Sequence, residues 1–352
     1  RECSICHRHD YLKDGETECE ICWTLKQMSG NILKGDFFTV TSKKEKTCLP
    51  LPGNCYLVTD TESTLRKRMK EDNYYIRSYS KNKPYSGYYV STKLWVGDYV
   101  NGETFEELGQ RATGIERIAV MRADVDNLGQ AFVRGFENEK NGSKYVTLSR
   151  TATFSRKLSM FFKYHINSLL KEGGYSILEE EAQMEKEDDR RNALIVYSGG
   201  DDIFIVGAWD DIIGFAVDLH DNLMEYSQDT LKISAGIGIY PSKYPISIMA
   251  RGTGRLEEAA KSVEGKNAVA LFDEKYTFPW EEFIENVVEE KLYFIQKYFK
   301  VVDEKGKNFL YNLLELVRKR KEDKINIARF AYLLGRMEPK VQRGEKKEEI
   351  EE

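Results

Sequence analysis

Between residues 117 and 272 the apolar positions switch repeatedly between a strand period and a helix period. RIAVMRADVDNLG opens on an apolar run, Ile118 to Ala123, with the length and branched content of a buried strand, then breaks into an acidic turn ahead of a helix. TFSRKLSMFFKYHINSLLKEGG places Phe154, Leu158, Phe161, Phe162, His165 and Leu169 at helical spacing, with Gly173 positioned to end the helix. His165, on that apolar face, reads as a core histidine. NALIVYSGGDDIFIVGAW reads as two strands around a tight turn. DDIIGFAVDLHDNLMEYS is an amphipathic helix with Ile212, Phe215, Ala216, Leu219 and Leu223 on one side. KISAGIGIYP predicts a strand, RLEEAAKSVEG a helix and AVALF a last strand. The order β-α-α-β-β-α-β-α-β predicts an α+β sandwich with its helices packed on one face of the sheet.

The flanks have different textures. Residues 1–30 read as a zinc ribbon, and short strand-like runs (DFFTVT, NCYLVT, NYYIRSY, GYYVSTKLWVGDYV) fill 35–115. Residues 179–191, EEEAQMEKEDDRR, read as a solvated, mobile loop. After 280 the pattern is helical throughout, as in a small bundle used for packing against a partner or another domain, and RGEKKEEIEE closes the chain as a disordered tail. The expected domains are therefore 1–115 (zinc ribbon and β-rich region), 116–278 (central α+β domain), 279–340 (helical) and 341–352 (tail).

Composition narrows the function classes. The chain has 352 residues and a net charge of −5, which argues against a general nucleic-acid coat. Net charge averages over all faces, so a local basic groove stays open. No apolar run is long enough for a membrane span and no signal peptide is recognisable, so the expectation is a cytoplasmic protein without membrane contact. The chain starts at Arg1, already close to a cysteine motif, and is expected to be a piece of a longer protein.

Cys3, Cys6, Cys19 and Cys22 form two C-x2-C knuckles separated by twelve residues, the spacing of a closed tetrahedral structural zinc site. Disulfides are the weaker alternative, because C-x2-C closes a strained loop and nothing points to secretion. His7 and His9 beside the first knuckle read as solvated loop histidines, with substitution as ligands the weaker alternative; Cys48 and Cys55 have no partner pattern.

Aspartates favour turns, so the pair in YSGGDDIFIVG has an ordinary structural reading. Asp124 and Asp126 in ADVDNLG shift that reading, because they also stand at the end of a buried strand. If the two strands are neighbours, Asp124 meets Asp201 and Asp202 at one sheet edge. Clustered carboxylates repel unless a divalent cation sits among them, and hard oxygen donors favour Mg²⁺ or Mn²⁺. Such a set suits phosphoryl or nucleotidyl transfer. Alternation along a strand gives Asp201 and Asp202 unequal roles. Gly199 and Gly200 let the backbone approach a nucleotide, and Lys261 and Lys266 in AAKSVEGKNAVALF are candidate phosphate contacts.

ADVDNLG, SRTATFSRKLSMFF, YSGGDDIFIVG and INIARFAYLLGRM together resemble the large palm-domain subunit of type III CRISPR effector complexes, Csm type. The resemblance covers nearly the whole chain and implies three parts of that subunit: a zinc-bearing region, the second palm, which is a ferredoxin-like polymerase or cyclase domain bearing GGDD, and a helical C-terminal domain. It places no HD nuclease dyad in this chain; the RHD at 8–10 lies inside the cysteine motif. By resemblance, the palm makes cyclic oligoadenylate from ATP when the complex holds target RNA. Asp201 and Asp202 are then the catalytic acids, with Asp124 a further metal ligand. Ser198, Gly199, Gly200 and Asn127 line the nucleotide, and Lys261 and Lys266 correspond to phosphate-contacting lysines of related GGDEF cyclases, although the spacing from Lys261 to Gly265 departs from theirs. The implied partners are the other subunits of the complex, with crRNA and target RNA reached through it. Without a first palm, this chain alone is expected to bind ATP and turn it over poorly. The competing readings are a non-catalytic scaffold palm and a diguanylate cyclase.

Overall fold

The computed structural model describes all residues except 1, 10, 11, 13, 14, 72, 84–91, 103, 138, 139, 141, 179–189, 302–307, 322 and 337–352. The chain divides into two units, residues 1–280 and 281–352.

The first unit holds two sheets. Strands β1 (Phe37–Thr41), β2 (Leu49–Leu51), β3 (Cys55–Asp60), β4 (Tyr75–Lys81) and β5 (Thr92–Leu94) form a five-stranded sheet in the order β2-β3-β1-β4-β5. The β-rich reading of this region also missed two helices, Glu62–Glu71 and Phe105–Gln110. Among the described residues the N-terminal region has no strand before β1: its second knuckle opens directly into a helix, Glu20–Lys34. Lys81, buried at the end of β4, joins that helix to the sheet. Its Nζ donates to the carbonyls of Ile32 and Leu33 at 2.8 Å each and pairs with Asp98 at 2.9 Å.

The second sheet contains β6 (Ile118–Val125), β7 (Ala193–Ser198), β8 (Asp202–Ala208), β9 (Ile233–Tyr240), β10 (Ala268–Leu271) and β11 (Thr277–Pro279) in the order β11-β10-β9-β6-β8-β7. Four consecutive strands running to one edge, β9-β6-β8-β7, are all antiparallel neighbours, whereas β10 joins β9 in parallel. Alternation sets the two faces of β6. Ala119, Met121, Ala123 and Val125 point one way and are buried, while Ile118, Val120, Arg122 and Asp124 point the other. Helix Trp209–Ser227 packs on β6, β8 and β9, burying Ile212, Phe215, Ala216, Leu219 and Leu223 as the periodicity predicted; each such side chain contributes about 1.5–3 kcal/mol for the larger ones.

One expectation fails here. Helix Ile246–Lys261 covers the opposite face, where Met249 packs with Leu108, Ile118, Val120 and Val206. Its close seat depends on Gly236 of β9, where a Cβ would press on Thr253 O at 2.7 Å. The sheet is therefore covered on both faces, because the second βα unit adds a layer that the hairpin-centred pattern did not require.

A second expectation fails at residue 191. Arg191 closes the segment read as a solvated loop, yet it is buried and ion-paired to Asp218, and its guanidinium donates to the carbonyls of Asp211 (3.0 Å) and Tyr175 (2.8 Å). A run of charge had hidden one residue whose partner is far along the chain. Residues 179–189 lie outside the described residues.

A short helix, Leu128–Arg134, follows β6, and the longer helix after it is interrupted. Leu148–Met160 passes through a π-helical turn, Phe161–His165, into Ile166–Glu172, and ends at Gly173 with φ +67°. His165 is half-buried against Phe161, ring centroids 5.5 Å apart. The widened turn leaves backbone carbonyls free for side chains: Ser198 donates to Phe162 O, and Asn167 Nδ2 to Lys163 O at 3.3 Å.

The second unit is helical among its described residues, with Phe283–Leu292, Tyr293–Val301, Asn308–Arg318 and Ile325–Gly335. The last two pack on each other. The tail, 341–352, lies outside the described residues.

Candidate active site

The acids meet because of strand register. Asp124, next to last in β6, stands directly opposite Asp202, first in β8, and on its other side faces Ser234 of β9. Asp201 is in the turn just before β8, and its carbonyl accepts from Val125 N at 3.2 Å, tying the hairpin tip to the end of β6. Gly199 N donates to Asp202 O at 2.8 Å and closes the turn.

The two glycines do different jobs. A Cβ on Gly199 would collide with Asp202 Oδ1 and sit 2.6 Å from Tyr197 Oη, so this glycine makes room for the aspartate side chain. A Cβ on Gly200 would meet only Ser159 Oγ, at 3.8 Å, so Gly200 is the glycine beside open space. Ser198, read as lining a nucleotide, spends its hydroxyl on Phe162 O.

Electrostatics mark the cluster as short of positive charge at one end. The Asp201 carboxyl is held above the usual carboxylate range, first by partial burial and then by the charges of Asp124 and Asp202. Tyr197 is also pushed up, chiefly by the charge of Asp202. At the other end Lys261 Nζ lies 2.6 Å from Asp124 Oδ2 and 2.6 Å from Glu257 Oε1, and Glu257 also pairs with Arg122 at 3.1 Å. Burial works against the Lys261 charge, but these two carboxylates outweigh it and raise its pKa. Lys266 donates to Asn127 Oδ1 at 2.8 Å. A cleft of about 240 Å³ opens beside the acids, lined by Arg122, Tyr197, Asp202, Phe204, Ala250 and Glu257 among others.

Sequence reading missed Glu257 and Arg122. Glu257 stands one helical turn before Lys261, a spacing that was legible; Arg122 was two residues from Asp124 on the same strand face. Asp126 turns inward and accepts from Ser234 Oγ at 2.8 Å and Asn267 N at 3.0 Å. These two bonds, both to Oδ2, anchor the strand ends, while Oδ1 is buried without a hydrogen-bond partner.

At the N-terminus the four sulfurs of Cys3, Cys6, Cys19 and Cys22 lie within 4.8 Å of one another, and none is in a disulfide. Cys19 N donates to Cys3 Sγ at 3.2 Å and Cys22 N to Cys19 Sγ at 3.4 Å. Backbone N–H groups lower the Cys3 thiol to about 6, while hydrogen bonding with Cys6 pushes Cys22 up to about 12. Four sulfurs converging this closely fit a soft-donor cation site. His7 lies with Glu2 at 3.5 Å, outside the cluster. The three acids of the sheet edge do not converge to that degree among the described residues.

This combination, a four-stranded antiparallel core with acids on its two central strands, defines the palm class. Residues 117–270 match the family described as Cas10/Cmr2, second palm domain, and residues 296–352 that of the CRISPR RNA silencing complex Cmr2 subunit, second helical domain. The chain is 45% identical over 96% of its length to a Mycobacterium tuberculosis protein called CRISPR system single-strand-specific deoxyribonuclease Cas10/Csm1 (subtype III-A), covering 41% of that protein. It is also similar to a Csm1–Csm4 cassette in complex with one ATP (26% identity, TM-score 0.67, 94% of this chain and 47% of that one). A Csm1–Csm4 cassette in complex with cA4 is similar too (25% identity, TM-score 0.62, 85% and 43%). The chain thus has Cas10-type palm and helical domains and is homologous over most of its length to Cas10/Csm1 proteins of subtype III-A. It spans about two-fifths of the length of the curated relatives it matches. Among the described residues no helix is long and apolar enough to cross a membrane.

Proposed function

We propose that this palm is a metal-dependent nucleotidyltransferase that converts ATP into cyclic oligoadenylate. The observation that carries it is the register pairing of Asp124 with Asp202, with Asp201 at the hairpin tip held above its ordinary pKa by partial burial and its two acidic neighbours. The ATP and cA4 complexes of the related Csm1–Csm4 cassettes support the choice of nucleotide. The 3′-hydroxyl of one ATP gives up its proton to solvent as its oxygen bonds the α-phosphorus of another, the α–β phosphoanhydride bond breaks and pyrophosphate leaves; the last 3′-hydroxyl attacks the chain's own 5′ α-phosphorus in the same way and closes the ring.

The donor chemistry fits Mg²⁺ or Mn²⁺, with all-carboxylate oxygens at a partly open edge, and Asp124, Asp201 and Asp202 would hold the ion. When bound, such an ion lowers the pKa of an attacking hydroxyl and offsets charge on the leaving group. Lys261, released from Asp124, and Lys266 supply positive charge for the phosphates, and Asn127 and Gly200 approach the nucleotide. The four cysteines hold a structural Zn²⁺. In this reading the palm occupies 116–278, and the chain works in the cytoplasm beside a Csm4-type subunit, with crRNA and target RNA reached through the assembled complex.

The ion pair of Lys261 with Asp124 is the observation that favours a non-catalytic scaffold instead. One experiment separates the readings: the full-length subunit, assembled with its partners and target RNA, is given ATP or GTP with Mg²⁺ or Mn²⁺, and the products are identified by mass. Oligoadenylate from the wild type, none from a folded and assembled Asp201→Ala/Asp202→Ala variant, supports the cyclase. Product from the variant, or its failure to fold, defeats the catalytic assignment, and a cyclic dinucleotide from GTP would indicate a diguanylate cyclase.

A further inference from the structure

Between residues 142 and 171, in a chain of net charge −5, there are six lysines and arginines (Lys144, Arg150, Arg156, Lys157, Lys163, Lys171) and no aspartate or glutamate. This stretch is the turn before the interrupted helix 148–172 and that helix up to its last residue, Glu172, its one acid. The helix buries Leu158, Phe161, Phe162, Ile166 and Leu170, while Arg150, Arg156, Lys157 and Lys171 are exposed. None of the six is ion-paired among the described residues. Lys144 and Arg150 instead lie over one Tyr145 ring, at 5.9 and 4.3 Å. The cations of the active-site edge behave oppositely: Arg122 and Lys261 each have a carboxylate partner.

A row of uncompensated positive charge is a footprint for a polyanion. Its reach decides which kind. From Arg150 to Lys171 the helix rises roughly 30 Å, far longer than one triphosphate and matched to a strand of several nucleotides. Arg150 and Lys157, seven residues apart, share one side, and Arg156 shares a face with Ser159, whose Oγ is 3.8 Å from where a Gly200 Cβ would lie. The stripe therefore runs past the GGDD hairpin. Aromatic faces accompany it, as stacking platforms accompany cations in single-strand sites: Tyr145, and the exposed Tyr164 with its ring centroid 4.5 Å from that of Trp95.

We infer that helix 148–172 binds the sugar–phosphate backbone of a single-stranded nucleic acid alongside the GGDD hairpin. The inference stands apart from the proposed chemistry, since it needs none of the acids.

The test is fluorescence anisotropy of labelled 20-nucleotide oligouridylate and oligothymidylate with the 352-residue chain across a salt series, which tells RNA from DNA. The wild type is expected to bind at least one strand, more weakly as salt rises. In a variant carrying Arg150→Gln, Arg156→Gln, Lys157→Gln and Lys163→Gln, affinity falls more than ten-fold. The slope of log affinity against log salt shrinks by about 2.8, at about 0.7 per lost phosphate contact. ATP affinity is unchanged. Single variants Arg156→Gln and Lys157→Gln, each expected to reduce the slope by about 0.7, serve if the quadruple variant does not fold. Arg318→Gln with Arg320→Gln, on the C-terminal helices, leaves strand binding intact. The inference is overturned if the wild type shows no salt-dependent strand binding or the helix variants bind as wild type does. It is equally overturned if ATP affinity falls in step with strand affinity, which would make the stripe a triphosphate wall.

Discussion

Changing Asp202 to asparagine keeps the side chain's shape and removes one of two carboxylates opposed across the β6–β8 ladder. Opposed residues on antiparallel strands have Cβ atoms about 5 Å apart. Two like charges at that separation, in a largely aqueous setting, repel by about 0.8 kcal/mol. Lys261 on Asp124 cancels part of this, leaving a net gain of about 0.5 kcal/mol for the variant, within the range for like-charge cross-strand pairs. For a domain of this size that raises Tm by about 1–2 °C. The response to metal runs the other way. Mg²⁺ at ten times its Kd adds about 1.4 kcal/mol to the wild type, a rise of about 3–6 °C, and adds nothing to Asp202→Asn. The pH dependence has a definite sign. The Asp201 carboxyl is raised, chiefly by burial and then by Asp124 and Asp202, so its stabilising contribution is present at acid pH and lost as pH rises through the folded-state pKa. Without metal, the wild type therefore loses stability relative to Asp201→Asn between about pH 4 and neutrality. Thermal melts at several pH values, with and without Mg²⁺, read all three effects. If Asp202→Asn melts below the wild type, or keeps the full Mg²⁺ response, the carboxylates are structural hydrogen-bond acceptors and the reasoning fails.

Two further outcomes follow from particular contacts. Gly199→Ala drives Asp202 out of place at a cost of about 1–3 kcal/mol and weakens Mg²⁺ binding at least ten-fold, whereas Gly200→Ala, with open space beside it, keeps near-wild-type melting and metal affinity; calorimetric titration of both variants compares them. Metal analysis of the purified chain is expected to give close to one zinc per chain, and Cys19→Ser, which removes the sulfur accepting from Cys22 N at the start of helix Glu20–Lys34, is expected to lose the ion and that helix's circular dichroism together.

The region nearest the chemistry was the most legible. The runs at 118–123, 193–208, 233–240 and 268–271 are strands because branched apolar residues with few polar interruptions leave no helical stripe, and the helix at 209–227 is amphipathic at its own period. The four cysteines were legible for the same local reason, since each knuckle brings its own pair of sulfurs together. The relatives and family matches agree with the class that these motifs implied.

Other features have no local signature. Helices were read as covering one face of the sheet because a period tells a helix that it has an apolar side, not which side of which sheet will receive it; Gly236 and Met249 settled that for Ile246–Lys261. Arg191 sat in a charged run and was read with its neighbours, but a guanidinium is buried only where its partners converge, and Asp218, Asp211 and Tyr175 come together with it only in the fold. The same holds at the acids. By itself the sequence determined which residues are carboxylates and that two of them follow a glycine pair at a strand start. The register that sets Asp124 opposite Asp202, the rotation that buries Asp126 and the salt link from Lys261 to Asp124 are long-range hydrogen-bond and charge pairings. They belong to tertiary structure because their energy is available only after distant strands have already been brought together.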